Sequence, residues 1–104
     1  MKSKFNEVLT FFKKGQLNEA KKLCIEILKE DSKNFDVLYL LAVINFRANN
    51  FEESKNLIEK AINVRPNSFE IHNFFGFVLL NLKKFELALK SWDKAIKLKP
   101  NFAE

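Results

Sequence analysis

Two kinds of apolar pattern alternate along this chain. In segments such as residues 35–48 the apolar side chains cover nearly the whole helical circumference. In segments such as residues 52–64 they form a single stripe, which includes Leu57, Ile58 and Ala61, opposite charged residues. Both patterns have helical spacing, and short polar turns separate the segments. The sequence therefore predicts six helices, over residues 3–13, 17–30, 35–48, 52–64, 69–82 and 86–98.

The turns contain residues that stop and start helices. Pro66 and Pro100 cannot continue a helix, so each is expected to end the second helix of its pair. Asn67, followed three residues later by Glu70, resembles a capping box that opens the next helix. Asn101 and Glu104 repeat this spacing, which predicts the start of a seventh helix at the end of the chain.

A fixed period relates these elements. Pro66 and Pro100 lie 34 residues apart, and segments 51–55 and 60–62 align without a gap on segments 85–89 and 94–96. Three such units, 1–34, 35–68 and 69–102, fill nearly all of the 104 residues and leave 103–104 as the start of a further unit. A period of this length indicates stacked helical units that share a continuous core. We therefore expect an all-α fold with one domain over residues 1–104.

The residues at fixed places in each unit resemble the tetratricopeptide repeat. The third unit fits best, through His72, Phe75, Gly76, Leu79, Ala88, Trp92 and Pro100. The second fits through Leu38, Leu41, Ala42, Ala61 and Pro66, and the first through Phe11, Ala20 and Cys24. The resemblance implies a right-handed α-solenoid of three helix-turn-helix repeats. It also implies a non-catalytic scaffold that binds a protein segment in a concave groove formed by the first helices.

The resemblance assigns groove positions to the first helix of each pair, according to their place within the 34-residue unit. They are Phe5, Leu9, Phe12, Lys13, Tyr39, Val43, Phe46, Arg47, Asn73, Phe77, Leu80 and Asn81. Some family members grip the C-terminal carboxylate of a chaperone with Lys, Asn and Arg at such places. Here those places hold Phe5, Leu9, Val43, Asn73 and Phe77, so this clamp is missing. The expected partner is instead a short amphipathic helix or an apolar extended peptide.

Two alternatives to the groove hypothesis arise from the same sequence. The last helix carries more apolar surface than one neighbour can cover, which favours self-association or a targeting fragment of a larger protein, such as an enzyme. The residues of this end are Leu87, Leu89, Trp92, Ile96 and Leu98. A formal net charge of +5 raises nucleic acid as a second alternative partner. Acidic residues interrupt the lysines of the second helices, however, so a solvated face is favoured.

Catalytic and metal-binding patterns are missing from the sequence. His72 has no second histidine or cysteine near it, and Cys24 lies on a buried phase, so both are interpreted as core residues. We expect no enzymatic activity and no cofactor. The longest apolar run, Val37 to Ile44, is too short for a membrane span. A single cysteine and an N-terminus that does not resemble an export signal predict a cytoplasmic location.

Overall fold

The computed structural model describes residues 3–99, which form six α-helices and no strand. The helices are α1 (Lys4–Lys13), α2 (Leu17–Glu30), α3 (Phe35–Arg47), α4 (Phe51–Val64), α5 (Phe69–Asn81) and α6 (Phe85–Leu98). Each bound lies within one residue of its sequence-based prediction. The all-α fold of stacked helix pairs is therefore confirmed, and each helix packs against its neighbours in the sequence.

The turn within each pair has the same geometry in all three pairs. Gly15, Asn49 and Lys83 lie 34 residues apart, and each has positive φ, of 76°, 64° and 61° respectively. In every case the next residue donates its backbone N–H to a carbonyl five residues back, as Gln16 does to Phe11 at 2.9 Å. This hydrogen bond satisfies a carbonyl that the end of the first helix would otherwise leave free. The period of the sequence is thus a period of backbone conformation.

The N-terminal ends of the first helices have side-chain caps. The Asn34 side chain accepts a hydrogen bond from the Val37 N–H at 3.1 Å, and Ser68 accepts one from the Ile71 N–H at 3.4 Å. The predicted cap at Asn67 is therefore wrong by one residue, because Ser68 occupies the position equivalent to Asn34. The predicted repeat of this cap at Asn101 and Glu104 lies outside the described residues.

The core lies between the two helices of each pair and between successive pairs. Its fully buried members come from all six helices and include Val8, Cys24, Leu38, Ile58, Ile71 and Ala95. α3 contributes most because it is apolar around its circumference and has helices on several sides. α2, α4 and α6 bury one stripe and leave charged residues in water, as their amphipathic pattern predicts.

His72 and Cys24 occupy the structural roles that the sequence indicated. The His72 ring is buried, and its Nε2 donates a hydrogen bond to the Pro66 carbonyl at 2.7 Å, which ties the turn to α5. Cys24 is fully buried, and this burial raises the pKa of its thiol to about 11. No group of three or more metal-binding side chains occurs among residues 3–99. No helix of this described part is both long and apolar enough to cross a membrane.

Candidate functional site

The first helices of the pairs line one open face. Of the twelve residues predicted to line a groove there, none is fully buried, so each keeps some surface for a partner. Lys13, Arg47, Phe77, Leu80 and Asn81 are exposed, and the other seven are half-buried. Arg47 also connects the ends of two first helices, because its guanidinium carbon lies 4.5 Å from the centre of the Phe12 ring.

The structure brings five of the predicted residues together in one cavity. An open cavity of about 260 Å³ lies between α1 and α3. Its predicted lining residues are Phe5, Leu9, Phe12, Tyr39 and Val43, and Asp36 and Leu40 complete the wall. Asp36 is the one carboxylate of this wall, and the remainder is apolar except for the Tyr39 hydroxyl. The cavity can therefore enclose apolar side chains and disfavours a second carboxylate.

Aromatic packing closes the space between α3 and α5. The Phe74 ring lies 5.7 Å from Tyr39 and 5.3 Å from Phe46, and Phe46 also contacts Phe51 at 5.3 Å. The Tyr39 hydroxyl donates to the Glu70 carbonyl at 3.4 Å. Burial, and secondarily the charge of Glu70, raises the pKa of Tyr39. Tyr39 and Phe46 thus hold two helices together, and Tyr39 also lines the α1–α3 cavity.

Sequence reasoning missed three residues of this face. Phe74 lies between Tyr39 and Phe46, and Asp36 and Leu40 line the cavity. Leu40 and Phe74 are 34 residues apart and each follows a predicted groove position. A wider stripe along the first helices would have included both, because helical neighbours at this spacing cover one broad face.

The predicted groove residues of α5 lie apart from this cavity. The Phe77 ring packs edge-on against Trp92 at 5.3 Å, and the Trp92 Nε1–H donates to the Asn73 carbonyl at 3.1 Å. The Asn81 amide donates to the Phe77 carbonyl at 2.8 Å, and Leu80 is exposed. Phe77 and Asn73 lie beside α6 rather than in the α1–α3 cavity.

The residues predicted for self-association do not form a single patch. Leu89 and Ile96 are exposed, by 60% and 39%, and Trp92 is half-buried against Phe77. Leu87 instead lines a different cavity, between α4 and α6, and Leu98 is half-buried. Phe85, which is 58% exposed, was not predicted.

Comparison with known families identifies the scaffold. Two family models described as tetratricopeptide repeat match this sequence, over residues 11–74 and 69–102. The chain belongs to the tetratricopeptide repeat (TPR) family. The TPR assignment agrees with the repeated turns at Gly15, Asn49 and Lys83. A comparison with curated proteins gave no match.

Solved structures share the TPR fold. A structure of MamA AMB-1 superposes with a TM-score of 0.87 and 24% identity over 94% of this chain. The chain spans 54% of that MamA structure, about half its length. The first TPR of Spaghetti (RPAP3), bound to the HSP90 peptide SRMEEVD, superposes with a TM-score of 0.88 and 22% identity. That match covers 92% of this chain and 76% of the other. These similarities establish the fold as a TPR solenoid.

Proposed function

We propose that this chain is a non-catalytic protein-interaction scaffold that binds an apolar peptide or a short amphipathic helix in its concave groove. Membership of the TPR family and the similar solved TPR structures support the role of scaffold. The observation that carries the groove assignment is the open apolar cavity between α1 and α3. Cavities of this kind accept the anchoring side chains of a helix or strand.

The chemistry of the cavity favours an apolar anchor over a carboxylate. Leu9 and Val43 occupy its wall where a carboxylate-binding TPR would need amide or basic side chains. Asp36 adds a negative charge to the same wall. A carboxylate placed against Leu9 and Val43 would lose its hydration beside the like charge of Asp36, which is unfavourable, and the Arg47 guanidinium lies at the Phe12 ring rather than among the lining residues. The SRMEEVD peptide of the Spaghetti complex is therefore a poor model for the ligand of this groove.

Selection from a random peptide library displayed on phage tests this proposal. We expect the selected peptides to contain apolar anchor residues. Calorimetry would measure their affinity for the purified protein. Val43→Asp should weaken them about tenfold or more, because it places a second charge in the apolar wall. Ile25→Asp is the matched control, since Ile25 is 42% exposed on α2, outside the cavity. Peptides that bind Val43→Asp and the unmodified protein equally would refute the groove assignment.

Self-association is a second candidate function. The observation that favours it is the exposed apolar surface of α6, at Phe85, Leu89 and Ile96. Exposed apolar surfaces of this kind mark interaction sites in folded proteins. Sedimentation equilibrium at several concentrations should reveal a dimer that Leu89→Glu dissociates. A monomer at all concentrations would eliminate this candidate and leave the groove proposal intact.

A further inference from the structure

A second groove lies on the opposite face of the stack, between α4 and α6 and above α5. Its volume is about 420 Å³, larger than the cavity of the concave face. The floor is mostly apolar, with Ile62 from α4, Phe75 and Leu79 from α5 and Leu87 from α6, and the polar side chains of His72 and Ser91 also line it. Leu87 is 48% exposed although it borders this groove. The floor therefore offers apolar surface that a partner could cover.

Lysines surround this apolar floor. Lys84, Lys90 and Lys94 border it from the α6 side, and Lys55 and Glu59 border it from α4. Lys55 lies between two carboxylates of its own helix, 3.4 Å from Glu52 and 3.9 Å from Glu59. Lys84, which precedes α6, and Lys90 and Lys94 within it form no ion pair within residues 3–99. The border thus carries unpaired positive charge beside apolar surface.

The preceding helix pairs provide an internal comparison. The equivalent residues 34 positions earlier in the sequence are Asn45 for Leu79, Asn50 for Lys84, Glu53 for Leu87 and Asn56 for Lys90. There the Asn45 side chain accepts hydrogen bonds from Lys21 at 3.5 Å and from Asn50 at 3.4 Å. Polar side chains therefore satisfy one another across the equivalent positions. Lys60 and Lys21 keep the places of Lys94 and Lys55, so the difference lies at Leu79, Lys84, Leu87 and Lys90, which give the α4–α6 groove more apolar surface and two more lysines.

We propose that the α4–α6 groove binds an acidic amphipathic helix of a partner protein. The trough between two helices suits a third helix whose apolar residues, one turn apart, cover Phe75 and Leu87. Glutamates or aspartates beside those residues would pair with Lys84, Lys90 and Lys94. Charge complementarity of this kind guides association and selects among partners. The proposal concerns the face opposite the concave groove and does not depend on a ligand there.

Fluorescence anisotropy with a designed peptide tests the proposal. The probe is a labelled helical peptide with leucines at positions i and i+4 and glutamates on both sides of them; a second peptide replaces every glutamate by lysine. We expect the glutamate peptide to bind, more weakly as salt increases, and the lysine peptide not to bind. Lys90→Glu should weaken binding about tenfold or more, because it reverses a charge at the border.

Matched variants separate this site from general charge effects. Lys22→Glu makes the same charge change at the equivalent position of α2, away from the groove, and should leave the affinity within about twofold. Leu87→Ser should weaken binding, whereas Leu89→Ser, on an exposed part of the same helix, should not. Far-UV circular dichroism checks that each variant is folded. Amide chemical shifts should change at Leu79 and Leu87 and not at Leu9 and Val43.

Several results would overturn the proposal. The glutamate peptide could fail to bind, or the lysine peptide could bind as tightly as the glutamate peptide. Lys90→Glu and Lys22→Glu could also lower the affinity for the glutamate peptide by the same factor. Tighter Lys90-dependent binding of phosphatidylserine vesicles or of single-stranded RNA would assign the surface to a membrane or to nucleic acid instead. Shifts confined to Leu9 and Val43 would place the peptide in the concave groove, which contradicts this inference and supports the proposed function.

Discussion

Gly76→Ala should destabilise the protein, although alanine is the better helix former. Gly76 lies within α5, where replacing glycine by alanine ordinarily stabilises by about 1 kcal/mol. A Cβ atom at this position would lie 2.6 Å from Cδ1 and 2.5 Å from Cε2 of Trp92. Both distances are well below van der Waals contact, so the indole must move. The steric effect opposes the helix propensity.

The magnitude follows from what Trp92 loses when it moves. Overpacking a core typically costs about 1–3 kcal/mol. The indole would also weaken its hydrogen bond to the Asn73 carbonyl, worth about 0.5–1.5 kcal/mol, and its edge contact with Phe77, worth a similar amount. After subtraction of the propensity gain, we expect Gly76→Ala to lower the free energy of unfolding by about 1–3 kcal/mol.

The repeat provides a compensating change. At the positions equivalent to Gly76 and Trp92, the second pair has Ala42 and Ile58, and the first has Val8 and Cys24. The residue of the first helix becomes smaller along the chain while its counterpart on the second helix becomes larger. In a Trp92→Ile background, Gly76→Ala recreates the pair of the second unit. There it should stabilise by about 1 kcal/mol, because the propensity gain is no longer opposed.

Urea denaturation followed by far-UV circular dichroism measures all four proteins of this cycle. Fluorescence of Trp92, the one tryptophan of the chain, reports on the same site in the two proteins that retain it. The coupling free energy, the difference between the two effects of Gly76→Ala, should be about 2–4 kcal/mol, at the upper end of what residues in contact show. A Gly76→Ala effect of the same sign and size in both backgrounds would refute the steric reasoning.

Further predictions concern four other sites, at Lys83, Ala88, Cys24 and Val43. Lys83→Gly should raise the free energy of unfolding, measured in urea titrations, by about 0.5–1 kcal/mol. Lys83 has a φ of 61°, which glycine adopts more readily, and Gly15 occupies the equivalent turn position of the first pair. An unchanged free energy of unfolding would contradict this reasoning. Ala88→Leu should lower it by about 1–3 kcal/mol, since Ala88 is 1% exposed between helices, and unchanged stability would argue against that packing. The Cys24 thiol, whose pKa burial raises from 9.0 to about 11, should react with iodoacetamide at neutral pH only on unfolding, and rapid labelling of folded protein would contradict its burial. Because the folded state keeps this thiol protonated, the thiol's contribution to stability is complete below about pH 9 and is lost as pH rises towards about 11; the difference between the unmodified protein and Cys24→Ala should show that trend. The SRMEEVD peptide should leave the amide shift of Val43 unchanged, and a saturable shift there would reinstate carboxylate binding in the groove.

Most of the residues that line the α1–α3 cavity could be predicted, because side chains three or four residues apart lie on the same face of a helix. Five predicted residues, including Leu9 and Val43, line one cavity. The prediction stopped short at α5, where Phe77 packs against Trp92 instead of continuing the cavity. The periodicity of the sequence predicts on which face of a helix a side chain lies. It does not predict whether an aromatic ring of the next helix fills the space in front of that side chain. Phe74 is that ring between α3 and α5.

The sequence by itself determined the helices, their order and the repeated turns. These features depend on local interactions: the apolar spacing within a helix, the prolines after it, and backbone hydrogen bonds such as that from Gln16 to Phe11. Tertiary structure decided which surfaces the helices leave open. Leu87 and Leu89 are two residues apart on α6, yet Leu87 borders the lysine-rimmed groove and Leu89 is exposed elsewhere. The helical pattern places these two residues on different sides of α6, but the position of α4 decides that the Leu87 side borders a groove, because a groove is a relation between helices that no single helical pattern contains.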